Sequence, residues 1–231
     1  MHHYVTPANV EQRVLRRLGK RHAIGRFDAS RTALVIIDMQ NYYVAEGFPS
    51  GSAQARGIVP NINRMSSAIR AAGAKVIWVL TGSSKAMEFW PNHHIHNLSP
   101  ENAARRIASL AEGGEGHRIY PELEVHPTDI LTSKVMYSAM LPGPSSNLLD
   151  TLAEHGIDTL LIAGTKTNVC CESTARDAYM LDFRVAMLSD CTATSSDEEH
   201  AATLNTFQLF FGDVMNFDDV AARLEPPARP T

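Results

Sequence analysis

Three side chains of different chemical type follow apolar segments of the sequence. Asp38 directly follows one apolar run, and Lys134 and Cys170 each come a few residues after another. A thiolate can attack a carbonyl carbon, a carboxylate can take up a proton, and an ammonium group can hold both in place by its charge. Brought together, the three groups form a candidate site for nucleophilic catalysis. Taken singly, each also has a structural explanation, as a buried thiol, a turn-forming carboxylate or a surface ammonium group.

Cys170 lies where a long helix is predicted to begin. Thr167 or Asn168, which come just before it, are expected to cap that helix. A thiol in the first helical turn lies near the positive end of the helix dipole, which lowers the thiol pKa, and the free N–H groups of that turn can bind an oxyanion. The adjacent Cys171 points about 100° away around the helix axis, so only one of the two thiols faces a common site. Cys191 is expected to be a packing residue.

Apolar runs alternate with helix-like segments along the chain. The predicted strands cover residues 32–37, 75–80, 129–132, 159–163, 184–188 and 213–215, and the predicted helices cover 59–72, 101–110, 145–155, 168–181 and 197–211. This alternation predicts an α/β fold, namely a three-layer, Rossmann-like, doubly wound and mostly parallel sheet with helices on both faces. Ligands bind beyond the carboxyl ends of such strands, where Asp38, Lys134 and Cys170 are placed.

The composition limits the classes to which the chain can belong. Its 231 residues are 44% hydrophobic and 20% charged, with a formal net charge of −4 at pH 7, as is typical of a globular chain. The mild acidity gives no reason to expect a nucleic-acid partner, and no stretch reaches the roughly 18 apolar residues that span a membrane. Three cysteines, two of them adjacent, do not form a disulfide framework, so we expect a reducing, cytoplasmic setting.

One domain accounts for most of the chain. We predict a helical arm over residues 1–26, capped by Thr6 and helical to about residue 23, then a single domain over 27–225 and a loose, proline-rich tail over 226–231. The basic arm is expected to pack on its own domain or on a neighbouring subunit, and a nucleic-acid or lipid contact is the alternative. The long connection 81–128 is expected to be functional or to have structure of its own.

Segment 92–96 is rich in histidine and is a candidate either for metal binding or for lining a pocket. His93 and His94 are adjacent and cannot easily ligate one metal together, and no acid lies at a supporting position nearby. The glycine-rich segment 113–116 follows a helix and not a strand, which is not the dinucleotide-binding pattern. We therefore expect no metal and no other cofactor, and a polar loop that lines the pocket.

Three motifs resemble those of the isochorismatase-like cysteine hydrolase superfamily. Residues 35–41 (VIIDMQN) are similar to the family's Asp-x-Gln motif after the first strand, and residues 133–140 (SKVMYSAM) to its Lys-x-x-x-Ser-Ala/Gly-Phe motif. Residues 164–178 (GTKTNVCCESTARDA) are similar to its Gly-x-x-Thr-Asn-x-Cys-x-x-x-Thr-Ala-x-Asp-Ala motif, the most specific of the three. In order and spacing the resemblance extends over roughly residues 32–219.

The resemblance implies roles for the three side chains. Asp38 would be the base, Lys134 would keep the other two poised, and Cys170, the first cysteine of the pair, would be the nucleophile. A cis peptide bond is implied between residues 165 and 166, with an oxyanion hole formed by the backbone N–H groups of Lys166 and Cys170. The family usually has a small residue at position 166, so the lysine side chain departs from its pattern.

Within the superfamily, the third motif is most similar to that of ureidoacrylate and N-carbamoylsarcosine amidohydrolases. Nicotinamidases have a metal-binding Asp-x-His after the second strand, where this chain has residues 81–84 (TGSS), and true isochorismatases lack the cysteine. The resemblance implies a homo-oligomeric enzyme, a dimer or tetramer, that cleaves a C–N bond of a small amide, ureido or carbamoyl compound through a thioester. Asn41, Trp90 and Tyr137 are candidate substrate-binding residues. The alternatives are hydrolysis of a cyclic amide or an ester, and a binding protein without catalysis.

Overall fold

The longest apolar runs form a six-stranded sheet in the computed structural model, which describes residues 1–224. Residue 225 and the predicted tail 226–231 lie outside the described residues. The strands, numbered in chain order, are β1 Thr32–Ile37, β2 Lys75–Thr81, β3 Ile130–Lys134, β4 Thr159–Thr165, β5 Arg184–Ala193 and β6 Asp213–Met215. Their order across the sheet is β3-β2-β1-β4-β5-β6, and every adjacent pair is parallel. The winding reverses between β1 and β4, so the predicted doubly wound fold is confirmed.

Helices cover both faces of this sheet. In chain order they are α1 Ala8–Leu18, α2 Asn41–Val44, α3 Ala53–Gly57, α4 Val59–Ala71, α5 Ala86–Phe89, α6 Pro91–His96, α7 Pro100–Ser109, α8 Leu148–Glu154, α9 Glu172–Met180, α10 Asp197–Phe210 and α11 Phe217–Ala221. On one face α4 packs with α11, and on the other α8, α9 and α10 pack together. Within residues 1–224, no helix has the length and apolar character needed to cross a membrane.

The burial of the central strand β1 explains why apolar and polar residues do not alternate along it. All six of its residues are buried, because a strand with helices on both faces has no solvent side. Leu34 and Ile36 pack into the core below α4, whereas Val35 and Ile37 pack into the core below α8 to α10. One apolar run thus contributes to two cores and holds the residue that follows it at the centre of the sheet edge.

Two strands extend further than the sequence pattern predicts. β3 continues to Lys134, so this lysine is part of the strand and not of the loop after it. β5 continues to Ala193, five residues past its predicted end, and includes the fully buried Cys191. Polar residues near the ends of both strands are paired in the sheet, which periodicity of apolar residues does not reveal.

The N-terminal arm packs on α10. Its helix α1 begins at Ala8, and the predicted cap is wrong, because the hydroxyl of Thr6 donates to the Gln208 side chain at 3.3 Å. The helix also ends earlier than predicted, at Leu18, with Gly19 in the left-handed conformation that stops it. The arm therefore packs on its own domain, one of the contacts expected for it.

The long connection between β2 and β3 has structure of its own. It contains α5, α6 and α7, and then passes beside the residues that follow β1. There the N–H of Asn41 donates to the carbonyl of Arg118 at 2.8 Å, and the N–H of Tyr120 donates to the carbonyl of Met39 at 3.0 Å. The connection therefore forms a wall beside the carboxyl end of β1.

Candidate active site

The carboxyl ends of three strands bring Asp38, Lys134 and Cys170 together. Asp38 follows β1, Lys134 ends β3, and Cys170 lies in the turn after β4. The Nζ of Lys134 is 2.9 Å from Oδ2 of Asp38, and both side chains are almost fully buried. The Cys170 thiol lies near enough to the Asp38 carboxylate for that negative charge to raise the pKa of the thiol. The convergence predicted for these three residues is therefore present in the structure.

Thr81 is a further member of this cluster that the sequence analysis did not single out. Its hydroxyl donates to Oδ1 of Asp38 at 2.7 Å and accepts from Nζ of Lys134 at 2.7 Å. Gln40 holds Thr81 in turn, accepting from its N–H at 2.8 Å and donating to its carbonyl at 3.1 Å. The signal for Thr81 is its place at the end of β2, the strand between β1 and β3.

The backbone is unusual where the cluster is assembled. Asp38 has a φ of +56°, which is uncommon for a residue other than glycine. Gly164, beside it on β4, has a φ of +110°, and a Cβ there would lie 2.1 Å from the carbonyl oxygen of Ile37. Only glycine allows β4 to approach β1 this closely, so Gly164 places the turn that carries Cys170 next to Asp38.

The turn after β4 has a different form from the one predicted. The peptide bond between Thr165 and Lys166 is cis, at the position that the family resemblance implies. Cys170 lies in a π-helical turn, Thr167–Cys171, that leads into α9, and Lys166 occupies the cap position. The predicted capping by Thr167 or Asn168 is wrong, because both side chains bond elsewhere.

Those two side chains tie the turn to the neighbouring elements. Thr167 Oγ1 lies 2.9 Å from Nδ1 of His200 on α10, and Asn168 Oδ1 accepts from the hydroxyl of Thr194 at 2.6 Å. His2 stacks on His200 with 4.5 Å between the ring centres. The turn that carries Cys170 is thus held by side chains from α10, from the end of β5 and from the N-terminus.

The expected low pKa of the Cys170 thiol is also wrong for this structure. Burial and the negative charge of Asp38 raise the pKa of Cys170 to about 12, and the positive charges of Lys134 and Arg106 offset only part of this. The pKa of Lys134 is raised too, since the charge of Asp38 outweighs the cost of burial. The resting site therefore has a neutral thiol beside a carboxylate that is paired with an ammonium group.

A cavity of about 370 Å³ opens onto Cys170, a size that suits a small ligand. Its wall includes Tyr137 and Lys166, of which Tyr137 is one of the three predicted substrate-binding residues. The other two, Asn41 and Trp90, are not among the residues that line it. The Asn41 amide donates to the carbonyl of Glu115 at 2.9 Å, and Trp90 stacks on His93 with 4.1 Å between the ring centres.

His93 brings the histidine-rich segment into the cavity wall. Burial, with the positive charge of Arg106, lowers the pKa of His93 to about 4, so the ring is neutral near pH 7. His94 instead bonds through Nδ1 to the carbonyl of Trp90 at 3.0 Å. Nowhere in residues 1–224 do three or more His, Cys, Asp or Glu side chains form a group suited to a metal ion.

The doubly wound sheet, with a thiol, a carboxylate and an ammonium group at its carboxyl edge, defines an α/β protein with a polar cluster beside a cavity. A family model described as the isochorismatase domain matches residues 32–219, and the chain belongs to this family.

Curated relatives share about a third of the sequence over nearly the whole chain. The protein named ureidoacrylate amidohydrolase RutB from Variovorax paradoxus is 34% identical over 212 residues, covering 86% of this chain and 83% of that protein. The protein of the same name from Pseudomonas syringae pv. syringae is 32% identical over 222 residues, covering 89% of each.

Solved structures show the same fold. A cysteine hydrolase from Pseudomonas syringae pv. phaseolicola has a TM-score of 0.73 at 24% identity, covering 89% of this chain and 97% of that one. An N-carbamoylsarcosine amidase from Thermoplasma acidophilum has a TM-score of 0.63 at 21% identity, covering 82% and 98%.

Proposed function

We propose that the protein is an amidohydrolase that cleaves a C–N bond of a small ureido or carbamoyl compound, with Cys170 as nucleophile. The observation that carries this proposal is the thiol of Cys170 in the cavity wall, within the electrostatic influence of Asp38, which is itself paired with Lys134. The relatives named ureidoacrylate amidohydrolase support both the amidohydrolase activity and the ureido class of substrate.

The first half-reaction forms a thioester. Asp38 takes the proton of the Cys170 thiol, and the sulfur attacks the carbonyl carbon of the bound substrate. The N–H groups of Lys166 and Cys170 stabilise the oxyanion, a contribution of roughly 3–4 kcal/mol for each donor. When the C–N bond breaks, the proton held by Asp38 passes to the departing nitrogen.

The second half-reaction hydrolyses the thioester. Asp38, again a carboxylate, takes a proton from a water molecule whose oxygen attacks the acyl carbon. The C–S bond breaks, and the sulfur recovers its proton from Asp38. Lys134 keeps its charge throughout, because the carboxylate that it faces is restored at the end of each half-reaction.

A neutral resting thiol fits this sequence of steps. Since the pKa of Cys170 is about 12 in the resting site, the thiolate forms only as Asp38 accepts the proton during attack. The carboxylate is buried and can share its negative charge with Thr81 and Lys134. The same contacts that hold Asp38 thus keep a base next to the nucleophile.

The test compares the two adjacent cysteines. Cys170→Ala is expected to lower ammonia release from small ureido and carbamoyl compounds by at least about 1,000-fold, as expected for loss of a nucleophile. Cys171→Ala should retain activity within about threefold, because the Cys171 thiol faces the carbonyl of Ala163 at 3.8 Å and not the cavity. Equal losses in the two variants would contradict the assignment.

The same assay tests the prediction that no metal is needed. Full activity after dialysis against a strong chelator supports it, and recovery only on addition of a divalent metal would overturn it. A homo-oligomeric state and a cytoplasmic location stay predictions from the sequence; the three cysteines are free in the structure.

A further inference from the structure

Arg106 places a positive charge in the cavity wall without a carboxylate to pair with it. Its guanidinium donates to the hydroxyl of Tyr43 at 3.3 Å and lies 5.8 Å from the ring centre of Tyr42. Among residues 1–224, no Asp or Glu forms an ion pair with it. A guanidinium has five N–H donors, and a single long hydrogen bond to a phenol leaves most of them available to a ligand.

The neighbouring arginine shows the contrast. Arg105 also lines the cavity, but its Nη2 donates to Oε1 of Glu101 at 2.6 Å, and the side chain is largely exposed. Its charge is therefore already compensated. Of the two adjacent arginines, Arg106 is the one whose charge is directed into the cavity and left open.

The charge of the whole cavity wall points the same way. Apart from Arg105, which Glu101 neutralises, its described lining has two basic residues, Arg106 and Lys166, and no acidic one. His93 adds no further charge, because burial and Arg106 lower its pKa to about 4. A cavity with this balance favours a ligand that carries a negative charge.

Arg106 is also close enough to the nucleophile to act on the same small molecule. Arg106, Cys170 and Tyr137 all line the same cavity of about 370 Å³. Tyr42, Tyr43, His93 and Tyr137 supply flat, largely apolar surface around it. A short planar ligand can therefore contact the thiol at one end and the guanidinium at the other.

We propose that Arg106 binds a carboxylate of the substrate, at the end away from the C–N bond that Cys170 attacks, and so selects ureido and carbamoyl acids over neutral compounds. A guanidinium matches a carboxylate in shape and can donate two parallel N–H bonds to it. This inference rests on the proposed function, since it describes the substrate of the same site.

Matched pairs of substrates test the inference. N-carbamoylglycine, 3-ureidopropionate and 4-ureidobutyrate are each compared with the corresponding terminal amide, which has the same shape without the charge. For at least one pair, the wild-type protein is expected to show a kcat/KM for the acid on the order of 100-fold above that for the amide. Arg106→Gln should remove this preference by lowering kcat/KM for the acid on the order of 100-fold, mainly through KM, while kcat/KM for the amide falls far less.

Arg105→Gln is the matched control, because it removes an adjacent arginine that Glu101 already neutralises. It should leave both members of each pair within about threefold. Arg106→Lys keeps the charge without the fork, so it should recover part of the preference and covers the case in which Arg106→Gln does not fold.

The outcomes separate the two proposals. If Cys170 hydrolyses the amides as fast as it hydrolyses the acids, the proposed role of Arg106 is wrong. The proposed function is then still supported. An equal loss of kcat/KM for the acid and the amide in Arg106→Gln would also overturn the role of Arg106, because it would show a general effect on the site. Absence of Cys170-dependent ammonia release from every compound would overturn the proposed function, and this inference with it.

Discussion

At the residue scale, the buried ammonium group of Lys134 controls where the charges of the cluster lie. It donates to Asp38, to Thr81 and to the carbonyl of Met136, so each of its three protons has an acceptor. A buried pair with unmet hydrogen bonds would cost several kcal/mol, whereas this one is satisfied. The negative charge therefore stays on Asp38, and the neighbouring thiol of Cys170 stays neutral.

This distribution of charge predicts the pH dependence of Cys170 alkylation. The thiolate is the reactive form, and because burial and Asp38 raise the pKa of Cys170 to about 12, the iodoacetamide rate should still be rising with pH well above 9. Asp38→Asn removes a charge that raises this pKa and leaves Lys134, which lowers it. The midpoint should therefore move to lower pH in Asp38→Asn, while hydrolysis falls by at least about 100-fold.

Asp190→Asn is the control for that measurement. Asp190 raises the pKa of Cys191, not of Cys170, so its loss should leave the Cys170 midpoint in place. Peptide mapping by mass spectrometry identifies which cysteine carries the label. A Cys170 midpoint that stays in place or rises in Asp38→Asn would show that the carboxylate does not face the thiol.

At the element scale, the turn after β4 depends on bonds to α10 and β5. Thr167 comes directly after Lys166, whose N–H we propose as an oxyanion donor, and the Thr167 hydroxyl is paired with His200. The other ring nitrogen of His200 lies 3.2 Å from the carbonyl of Ser189. Burial and His2 lower the pKa of His200 to about 4, so the ring is neutral near pH 7 and both contacts persist there.

Thr167→Val tests whether this bond positions the turn. The substitution keeps the shape but leaves Nδ1 of His200 without its partner, a cost of about 1–3 kcal/mol. We expect kcat to fall about tenfold with KM within twofold, because displacement of an oxyanion donor affects the transition state more than substrate binding.

Thr192→Val is the matched control for that variant. Thr192 is equally buried, but its hydroxyl donates to the carbonyl of Leu188 at 2.8 Å within β5. A similar loss of stability with kcat unchanged is expected. Equal effects of both variants on kcat would indicate a general loss of packing and would contradict a positioning role for Thr167.

The helices and strands that the sequence predicts well are those whose hydrophobic pattern depends only on residues close together in the chain. The strand at 32–37 and the helix at 59–72 were expected from an unbroken apolar run and from helical spacing with a glycine stop, and both are present within a residue. These signals depend on residues that are neighbours in the chain. The sequence also predicts that Asp38, Lys134 and Cys170 lie together, because parallel strands place their carboxyl ends at one edge of the sheet.

The parts that could not be predicted depend on contacts between distant segments. Arg106 is one of two arginines in α7. The acid four residues before Arg105 indicates that Arg105 is paired, but the place of Arg106 in the cavity wall depends on residues distant in the sequence. The pairing of Thr167 with His200 joins residues 33 positions apart. The thiol pKa was predicted in the wrong direction because the helix dipole is visible in sequence and burial against Asp38 is not.

At the scale of the whole molecule, the arm and the domain share one core. Val10 and Val14 are buried against α10, and the carboxylate of Asp213 on β6 accepts from the N–H groups of Ala23 and Ile24, both at 2.8 Å. His2 extends this contact as far as His200 and so reaches the element that supports the turn of Cys170. The arm is therefore expected to unfold together with the domain.

Two adjacent positions of α1 test this expectation. Val14 is 1% exposed and Leu15 is 42% exposed, so the same substitution has a different consequence at each. Val14→Asp buries an unpaired charge at a cost of about 3–5 kcal/mol, which lowers the melting temperature of a domain this size by about 10 °C. Leu15→Asp should change it by no more than about 2 °C, and calorimetry of both gives the comparison.

Two results would change this view of the arm. Equal melting temperatures for the two variants would show that the arm does not unfold with the domain. A loss of molecular mass in light scattering caused by Leu15→Asp and not by Val14→Asp would assign the outer face of α1 to a contact between subunits, the other alternative for a basic arm. That face carries Leu15, which is 42% exposed. An oligomer formed through the outer face would leave the inner face of α1 packed on its own domain. The contact between subunits and the contact with the domain can therefore exist in the same fold.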